Sequence, residues 1–163
     1  MMAIAVAGSI VGCTPQSAPS PSPSTSATAF SSDAEAFAAA EATYRAYVDA
    51  TNARRVDPTS LPNPNDFLSG QALESSLATQ ETFEEKGIRL EGRTIIRSVS
   101  PISFHTQSAT IHVCFDNSGT RLVDNAGMDV TPADRSVIGG LVVIVETKAP
   151  PHIVQSDTQD SGC

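Results

Sequence analysis

Basic residues are scarce in this sequence of 163 residues, which has 10 Lys and Arg against 18 Asp and Glu and a formal charge of −8. Binding to nucleic-acid phosphates requires clustered Lys and Arg, so this composition argues against a nucleic-acid partner. The same deficit argues against electrostatic attachment to anionic lipids. Hydrophobic residues nevertheless make up 40% of the chain, which is enough to form the core of one domain.

The sequence also lacks long apolar runs and the common catalytic motifs. No run approaches the ~20 apolar residues that a membrane-spanning helix requires. There is no Gly-Xaa-Ser-Xaa-Gly, no phosphate-binding glycine loop, no metal-binding His-Glu pair and no repeat of fixed period. The three histidines are scattered along the chain and do not have the close spacing of zinc ligands. We therefore expect neither a metal ion nor another cofactor.

An uncharged apolar stretch of ten residues, 3–12 (AIAVAGSIVG), is followed at once by Cys13. A stretch of this length is typical of the core of a secretory signal. The residues Ile10-Val11-Gly12-Cys13 resemble the lipobox of bacterial lipoproteins. The resemblance implies that residues 1–12 are a signal peptide, and that cleavage before Cys13 leaves a lipid-modified (palmitate-bearing) cysteine at the mature N-terminus.

The next segment is poor in core-forming residues, since 17 of the 19 residues at 14–32 are Ser, Pro, Thr or Ala and none is charged. Such a composition cannot bury enough apolar surface to offset its ordering entropy, and its Ser-Pro repeats favour extended segments. A lipidated Cys with a tether of this kind resembles the layout of surface lipoproteins in high-GC Gram-positive bacteria. The resemblance implies a lipid anchor and tether at residues 13–32. It also implies a single α+β domain at residues 33–163 on the extracytoplasmic face of the cell membrane.

Two helices are predicted at the start of that domain. Ser32-Asp33-Ala34-Glu35 has the pattern of a capping box, and apolar residues then recur at helical spacing, which predicts a helix over about 33–54. Three prolines at 56–64 end it. Asn65 or Asp66 can cap a second helical stretch, and Gly87 can terminate it in the left-handed conformation.

The rest of the domain has the periodicity of β-strands. Ala109, Ile111, Val113 and Phe115 alternate with more polar residues, and this alternation predicts a strand with one buried face. The turn signals at 116–119 and 124–127 separate further short strands. We expect strands at 94–99, 108–115, 120–123, 137–146 and 152–155. The strand at 137–146 is almost wholly apolar, and Gly139-Gly140 within it permits a bend or bulge.

Helices followed by antiparallel strands indicate an α+β fold. This order, with a long first helix bearing Tyr44 and Tyr47, resembles the nuclear transport factor two-like fold over about residues 33–155. The resemblance implies N-terminal helices packed on a curved antiparallel sheet to form a cone. The alternative is a cystatin-like arrangement, in which one helix lies on a curved sheet.

Two cysteines remain once Cys13 is assigned to lipid modification. An exported chain lies outside the reducing cytosol, so we expect Cys114 and Cys163 to form a disulfide. Cys114 falls within a predicted strand, and the bridge would hold residues 156–162 against the sheet.

The resemblance to cone folds implies a possible pocket formed by Tyr44, Tyr47 and His112. Related cones host isomerases, dehydratases and cyclases, which use a pocket Asp or His as a base, so a small-molecule enzyme of this kind is the alternative function. Each candidate here also has a structural explanation, and no pair of titratable residues has a spacing that forces it into one pocket. We therefore expect no catalytic residues. We expect instead a non-catalytic domain that binds a small apolar ligand or an envelope protein.

Overall fold

The computed structural model of the protein describes residues 30, 32–159 and 162–163. The predicted signal peptide, Cys13 and almost all of the predicted tether lie outside these residues. Within them the chain forms two α-helices that pack on a curved antiparallel sheet, so the predicted α+β class is confirmed. The elements are α1 (Asp33–Val56), a 3-10 turn (Pro64–Phe67), α2 (Gly70–Lys86), β1 (Ile88–Gly92), β2 (Ile95–His105), β3 (Ser108–Asp116), β4 (Thr120–Asp124), β5 (Ile138–Glu146) and β6 (His152–Gln159).

Helix α1 begins where the capping pattern predicts. The Ser32 hydroxyl accepts a hydrogen bond from the Glu35 backbone N–H at 3.2 Å, which satisfies one of the unpaired donors of the first turn. The helix continues two residues beyond the predicted end, to Val56. Ala36 and Ala40 on its inner side are fully buried, because their small side chains allow the helix to lie close to the sheet.

The second helix begins later than predicted. Asn63 caps the 3-10 turn by accepting from the Asn65 N–H, while the Asp66 carboxylate accepts from the Asn63 N–H, both at 3.1 Å. Leu68 then forms a parallel bridge to Ile153. The extended backbone needed for that pairing interrupts the helix, which restarts at Gly70.

The β3 strand lies inside a four-stranded antiparallel sheet with the order β2-β3-β5-β6. Its residues Ala109, Ile111 and Val113 are almost completely buried on the face that α1 covers. They form the centre of the core with Val143 and Val145 of β5. The predicted alternation of β3 is therefore present in the structure.

The edge strand β2 is longer than predicted and irregular. Its pairing with β3 shifts between Ile96 and Ser98 and again between Pro101 and Ser103. Proline lacks the N–H that an interior strand must donate, and an edge position tolerates this loss.

The pair Gly139-Gly140 has a different role from the predicted bend, because β3 and β5 stay in register through both glycines. A Cβ at Gly139 would lie 2.6 Å from the Phe115 ring. At Gly140 a Cβ would lie 3.0 Å from both Cys163 Sγ and His112 Nε2. The two glycines therefore make room for side chains packed on them.

One strand, β1, was not predicted. It pairs with β4 as a separate two-stranded antiparallel ribbon. Gly92 at its end has φ +84°, and a Cβ there would lie 1.9 Å from the carbonyl oxygen of Gly119. The close approach of the two strands at this point therefore requires glycine.

We expect Gly92→Ala to lower the free energy of unfolding by about 2–5 kcal/mol, since positive φ and steric overlap both act against it. Gly127→Ala is the matched control, because Gly127 has φ +82° but nothing within 4 Å of a built Cβ. It should cost only ~1–2 kcal/mol. Denaturant unfolding measures both values, and equal losses would contradict a steric constraint at Gly92.

Candidate functional site

An open cavity of about 640 Å³ lies between the two helices and the sheet. This volume falls in the ~300–1,000 Å³ range of small-molecule sites. Both helices, the ribbon strand β1 and the strands β5 and β6 contribute to its walls. Its lining includes Tyr44, Tyr47, Thr51, Arg54, Arg55, Leu68, Ala72, Phe83, Glu84, Ile88, Arg89, Leu90, Leu141 and Ile153.

The inner part of the cavity is apolar. Leu68 and Ala72, at the start of the second helical region, line it together with Leu141 and Ile153 of the sheet. Phe83 of α2 and the ribbon residues also lie on its walls. Removing an apolar ligand from water into such a lining is favourable by roughly 25 cal/mol per Å².

Tyr44 and Tyr47 also line the cavity, with their ring centroids 5.9 Å apart. Burial, and then the neighbouring Tyr47, raises the pKa of the Tyr44 phenol well above its usual value. Burial likewise raises the pKa of Tyr47, although the Thr51 side chain and the Arg55 guanidinium partly oppose the shift. Both phenols are therefore neutral at physiological pH and suited to donating hydrogen bonds to a ligand.

The cavity also has cationic side chains from three arginines. Arg89 forms an ion pair with Glu91 at 2.8 Å, and Glu91 also pairs with Arg121. The Arg54 Nε donates to the Ser60 carbonyl at 3.0 Å. Neither Arg54 nor Arg55 has a carboxylate within ion-pair distance in the described part of the chain.

Arg55 is half-buried and is held in place by neutral groups. Its Nη1 donates to the Thr94 hydroxyl at 2.9 Å and to the Asn52 side-chain oxygen at 3.3 Å. Burial lowers the pKa of Arg55, which Tyr47 partly offsets, but a guanidinium in a protein stays charged. Its Nε and Nη2 groups make no hydrogen bond within the described residues, so donors remain for an anion.

The support for Arg55 is itself buried. Asn52 is 4% exposed, and its side-chain amide donates to the Thr94 carbonyl and accepts from the Thr94 N–H, both at 2.9 Å. The Thr94 hydroxyl donates in turn to the Asn117 side-chain oxygen at 2.7 Å. This network connects the last turns of α1 to the segment between β1 and β2.

His112 does not line the cavity. It lies on the opposite face of β3 from Ile111 and Val113, with its Nε2 3.9 Å from Cys163 Sγ. The two tyrosines and His112, proposed from the sequence as one pocket, are therefore in two separate places. The tyrosines lie on the side of the sheet that α1 covers and His112 lies on the other side, because successive side chains of β3 point to opposite faces.

The titratable residues Asp49, His105 and Asp116 do not line the cavity either. Asp49 is exposed on α1, and His105 is exposed at the end of β2. Asp116 accepts from the Ser118 N–H at 2.8 Å, and this bond, the leading cause, lowers the pKa of its carboxyl. Asp116 therefore has the turn-forming role expected of it.

The predicted disulfide between Cys114 and Cys163 is present, with the two Cα atoms 5.6 Å apart. Cys114 is buried in β3, whereas Cys163 is exposed. The bridge holds Cys163 against the outer face of the sheet.

Sequence reasoning missed the arginine pair. Arg54 and Arg55 lie in the last turn of α1. Basic residues there are ordinarily explained by their favourable interaction with the helix dipole, so they do not indicate a binding site. The adjacent Asn52 is a further signal, since an amide at a buried helix position requires a specific partner.

No family model matches the chain, and no curated protein is significantly similar to it. Among solved structures, the intermembrane space region of the chloroplast protein ARC6 is similar with a TM-score of 0.47 and 11% identity. The match covers 77% of this chain and 97% of that chain. Nothing about function follows from a likeness of this degree.

Neither α-helix of the described residues combines the length and the apolar character needed to cross a membrane.

We expect reduction of the disulfide, or Cys163→Ser, to lower the free energy of unfolding by up to about 4 kcal/mol, because the bridge closes a loop with a sequence separation of 49. Chemical denaturation of the oxidised and reduced proteins measures the difference. Non-reducing mass spectrometry should show the native protein two hydrogens lighter than its reduced form. Two free thiols in the purified native protein would contradict the bridge.

Proposed function

We propose that this protein is a lipid-anchored extracytoplasmic lipoprotein whose domain binds a small amphipathic anion and does not catalyse a reaction. The proposal has two parts, the anchor and the ligand, and each has its own support and test. The ligand part depends on one observation, which is that the half-buried Arg55 has no carboxylate partner among the described residues and lines a cavity that also has an apolar wall.

The charge of Arg55 is not compensated by an acidic group among the described residues. Placing a cation away from water is costly unless a partner compensates it. Within the described residues Arg55 donates hydrogen bonds to the neutral side-chain oxygens of Asn52 and Thr94, and it lies near the Tyr47 phenol. A carboxylate or phosphate group of a ligand would supply the missing charge through a forked pair of hydrogen bonds.

The cavity also has an apolar wall. A ligand that only paired with Arg55 would leave the partly exposed side chains of Phe83, Ile88 and Leu90 in contact with water. A molecule with an anionic head and a hydrocarbon body satisfies both regions. The neutral phenols of Tyr44 and Tyr47 are suited to donate to the polar end of such a molecule.

The composition of the lining supports binding without catalysis. Among the described residues that line the cavity there is no histidine and no aspartate, and the one acidic residue, Glu84, is exposed. A general acid or base requires a titratable group within ~3 Å of the reacting atom and a pKa near the working pH. The raised pKa values of the tyrosines move them away from that condition.

The arrangement also supports assignment to the nuclear transport factor two-like class. A long first helix carries Tyr44 and Tyr47 into a cavity against a curved sheet, as that class would require. A cystatin-like arrangement has one helix on the sheet, whereas α2 here also packs on β6 and β1.

The anchor is proposed from Cys13 and the lipobox-like residues before it. The disulfide Cys114–Cys163 supports an oxidising location. The predicted tether could hold the domain up to ~55 Å from the lipid, at ~3 Å per extended residue.

We expect the protein to bind decanoate more tightly than decanol, which has a similar chain but no charge. Arg55→Gln should weaken decanoate binding about 10–100-fold, since a charge-assisted hydrogen bond contributes ~1.5–3 kcal/mol. Decanol binding should be unchanged, which also shows that the variant is folded. Isothermal titration calorimetry measures both.

Arg45→Gln is the matched control for this experiment, because Arg45 is on the same helix but pairs with Glu41 outside the cavity. It should leave both affinities unchanged. Equal affinity of the wild-type protein for decanoate and decanol would contradict an anion site at Arg55.

We expect a palmitate analogue supplied to a bacterial host to label the wild-type protein, and Cys13→Ala to abolish the label because it removes the acceptor thiol. In-gel detection of the labelled protein is the measurement. Cys163→Ser is the control and should still be labelled. Label that persists in the Cys13 variant would contradict the lipobox assignment.

A further inference from the structure

We propose that Cys114, Cys163 and His112 form a metal site for a soft or borderline d10 cation when the disulfide is reduced. The site is separate from the cavity, and the proposal does not depend on the proposed function. No spacing along the chain indicates this site, because the two cysteines have a sequence separation of 49 and only the folded sheet brings the groups together.

The three possible ligand atoms already lie close together. His112 Nε2 and the two sulfur atoms are all within 4.8 Å of one another, and the Nε2 lies 3.9 Å from Cys163 Sγ. A tetrahedral zinc ion with Zn–S ≈ 2.3 Å and Zn–N ≈ 2.0–2.1 Å places its S and N ligands about 3.6 Å apart. The imidazole therefore needs to move little relative to Cys163, whereas the two sulfurs must move apart once the bridge is reduced.

The outer face of β3 explains this convergence. His112 and Cys114 are two residues apart on one strand, so their side chains share a face. Across from Cys114 in the register is Gly140. A Cβ at that position would lie 3.0 Å from both Cys163 Sγ and His112 Nε2, so the glycine leaves the space in which the imidazole and the sulfur meet.

The oxidation state controls whether the site exists. In the disulfide neither sulfur is a thiolate, and thiolates are the form that binds metal. A phosphine reductant and one water molecule convert the bridge to two thiols and a phosphine oxide, with the two electrons coming from phosphorus. Each thiol then loses its proton to solvent as the cation binds, which leaves two anionic sulfurs and a neutral imidazole around the metal.

The positions of the two cysteines favour this change. Cys114 is buried in the centre of the sheet and supplies a fixed ligand, whereas Cys163 is exposed and has room to move away from it. Three protein ligands leave the fourth position of a tetrahedral ion open to water or to another molecule. The site therefore suits an exchangeable ion more than a permanent structural one.

The test titrates Zn²⁺ into the protein reduced anaerobically by a water-soluble phosphine, in competition with a chromophoric chelator. We expect one Zn²⁺ per reduced chain and no binding at this site by the oxidised chain. Co²⁺ in place of Zn²⁺ should give a sulfur-to-metal charge-transfer band and the visible bands of tetrahedral coordination. Zn²⁺ should also raise the Tm of the reduced protein and leave that of the oxidised protein unchanged.

Three variants separate the ligands. Cys163→Ser should abolish binding, and His112→Ala should weaken it by more than the ~10–100-fold typical of losing an outer-shell partner. His105→Ala is the control, because His105 is exposed at the end of β2, and it should bind as the wild type does.

Two outcomes would overturn the proposal. One is Zn²⁺ binding that is unaffected by His112→Ala or that occurs equally in the oxidised chain. The other is that the reduced protein binds no Zn²⁺. Unfolding of the protein on reduction that added Zn²⁺ does not reverse would count as this second outcome.

Discussion

The paired hydrogen bonds between the Asn52 side chain and the backbone of Thr94 hold the helical layer to the sheet layer. The amide of Asn52 satisfies both the N–H and the carbonyl of Thr94, as a neighbouring strand would. Thr94 lies between β1 and β2, where the chain passes from the ribbon to the four-stranded sheet. A backbone segment at such a crossing has no strand partner of its own, and the helix supplies one. The buried amide of Asn52 therefore joins α1 to the segment between the ribbon and the sheet, in addition to the apolar packing of α1 on β3.

The cavity is a consequence of that positioning. Alanines bring one part of α1 close to β3, whereas the turns that carry Tyr44, Tyr47 and Arg55 face open space bounded by α2 and β1. The network around Thr94 also fixes the guanidinium of Arg55. A preorganised cation of this kind lowers the entropy that a ligand would lose on binding. The same network thus joins α1 to the sheet and fixes the position of the cation in the site.

The elements that could be predicted from the sequence are those whose signal is local. The Ser32 cap and the alternation in β3 each depend on residues a few positions apart, and both are present in the structure. Strand β1 was missed because its alternation of apolar and polar residues is short, with only Ile88 and Leu90 apolar. Its pairing with β4 is also a long-range contact. Long-range register also explains the surroundings of His112. Its neighbours in space are Gly140 and Cys163, and no spacing along the chain indicates that they meet.

Both edges of the four-stranded sheet are irregular or covered. The β2 edge has Pro101 and two register shifts, and the start of the β6 edge is paired with Leu68 and accepts a hydrogen bond from the Ser69 N–H. The rest of β6 bears polar residues, among them Asp157. An unprotected edge is a template on which a second chain can add a strand, and devices of these kinds prevent it. The edges of this sheet therefore disfavour the joining of two copies of the domain into one continuous sheet.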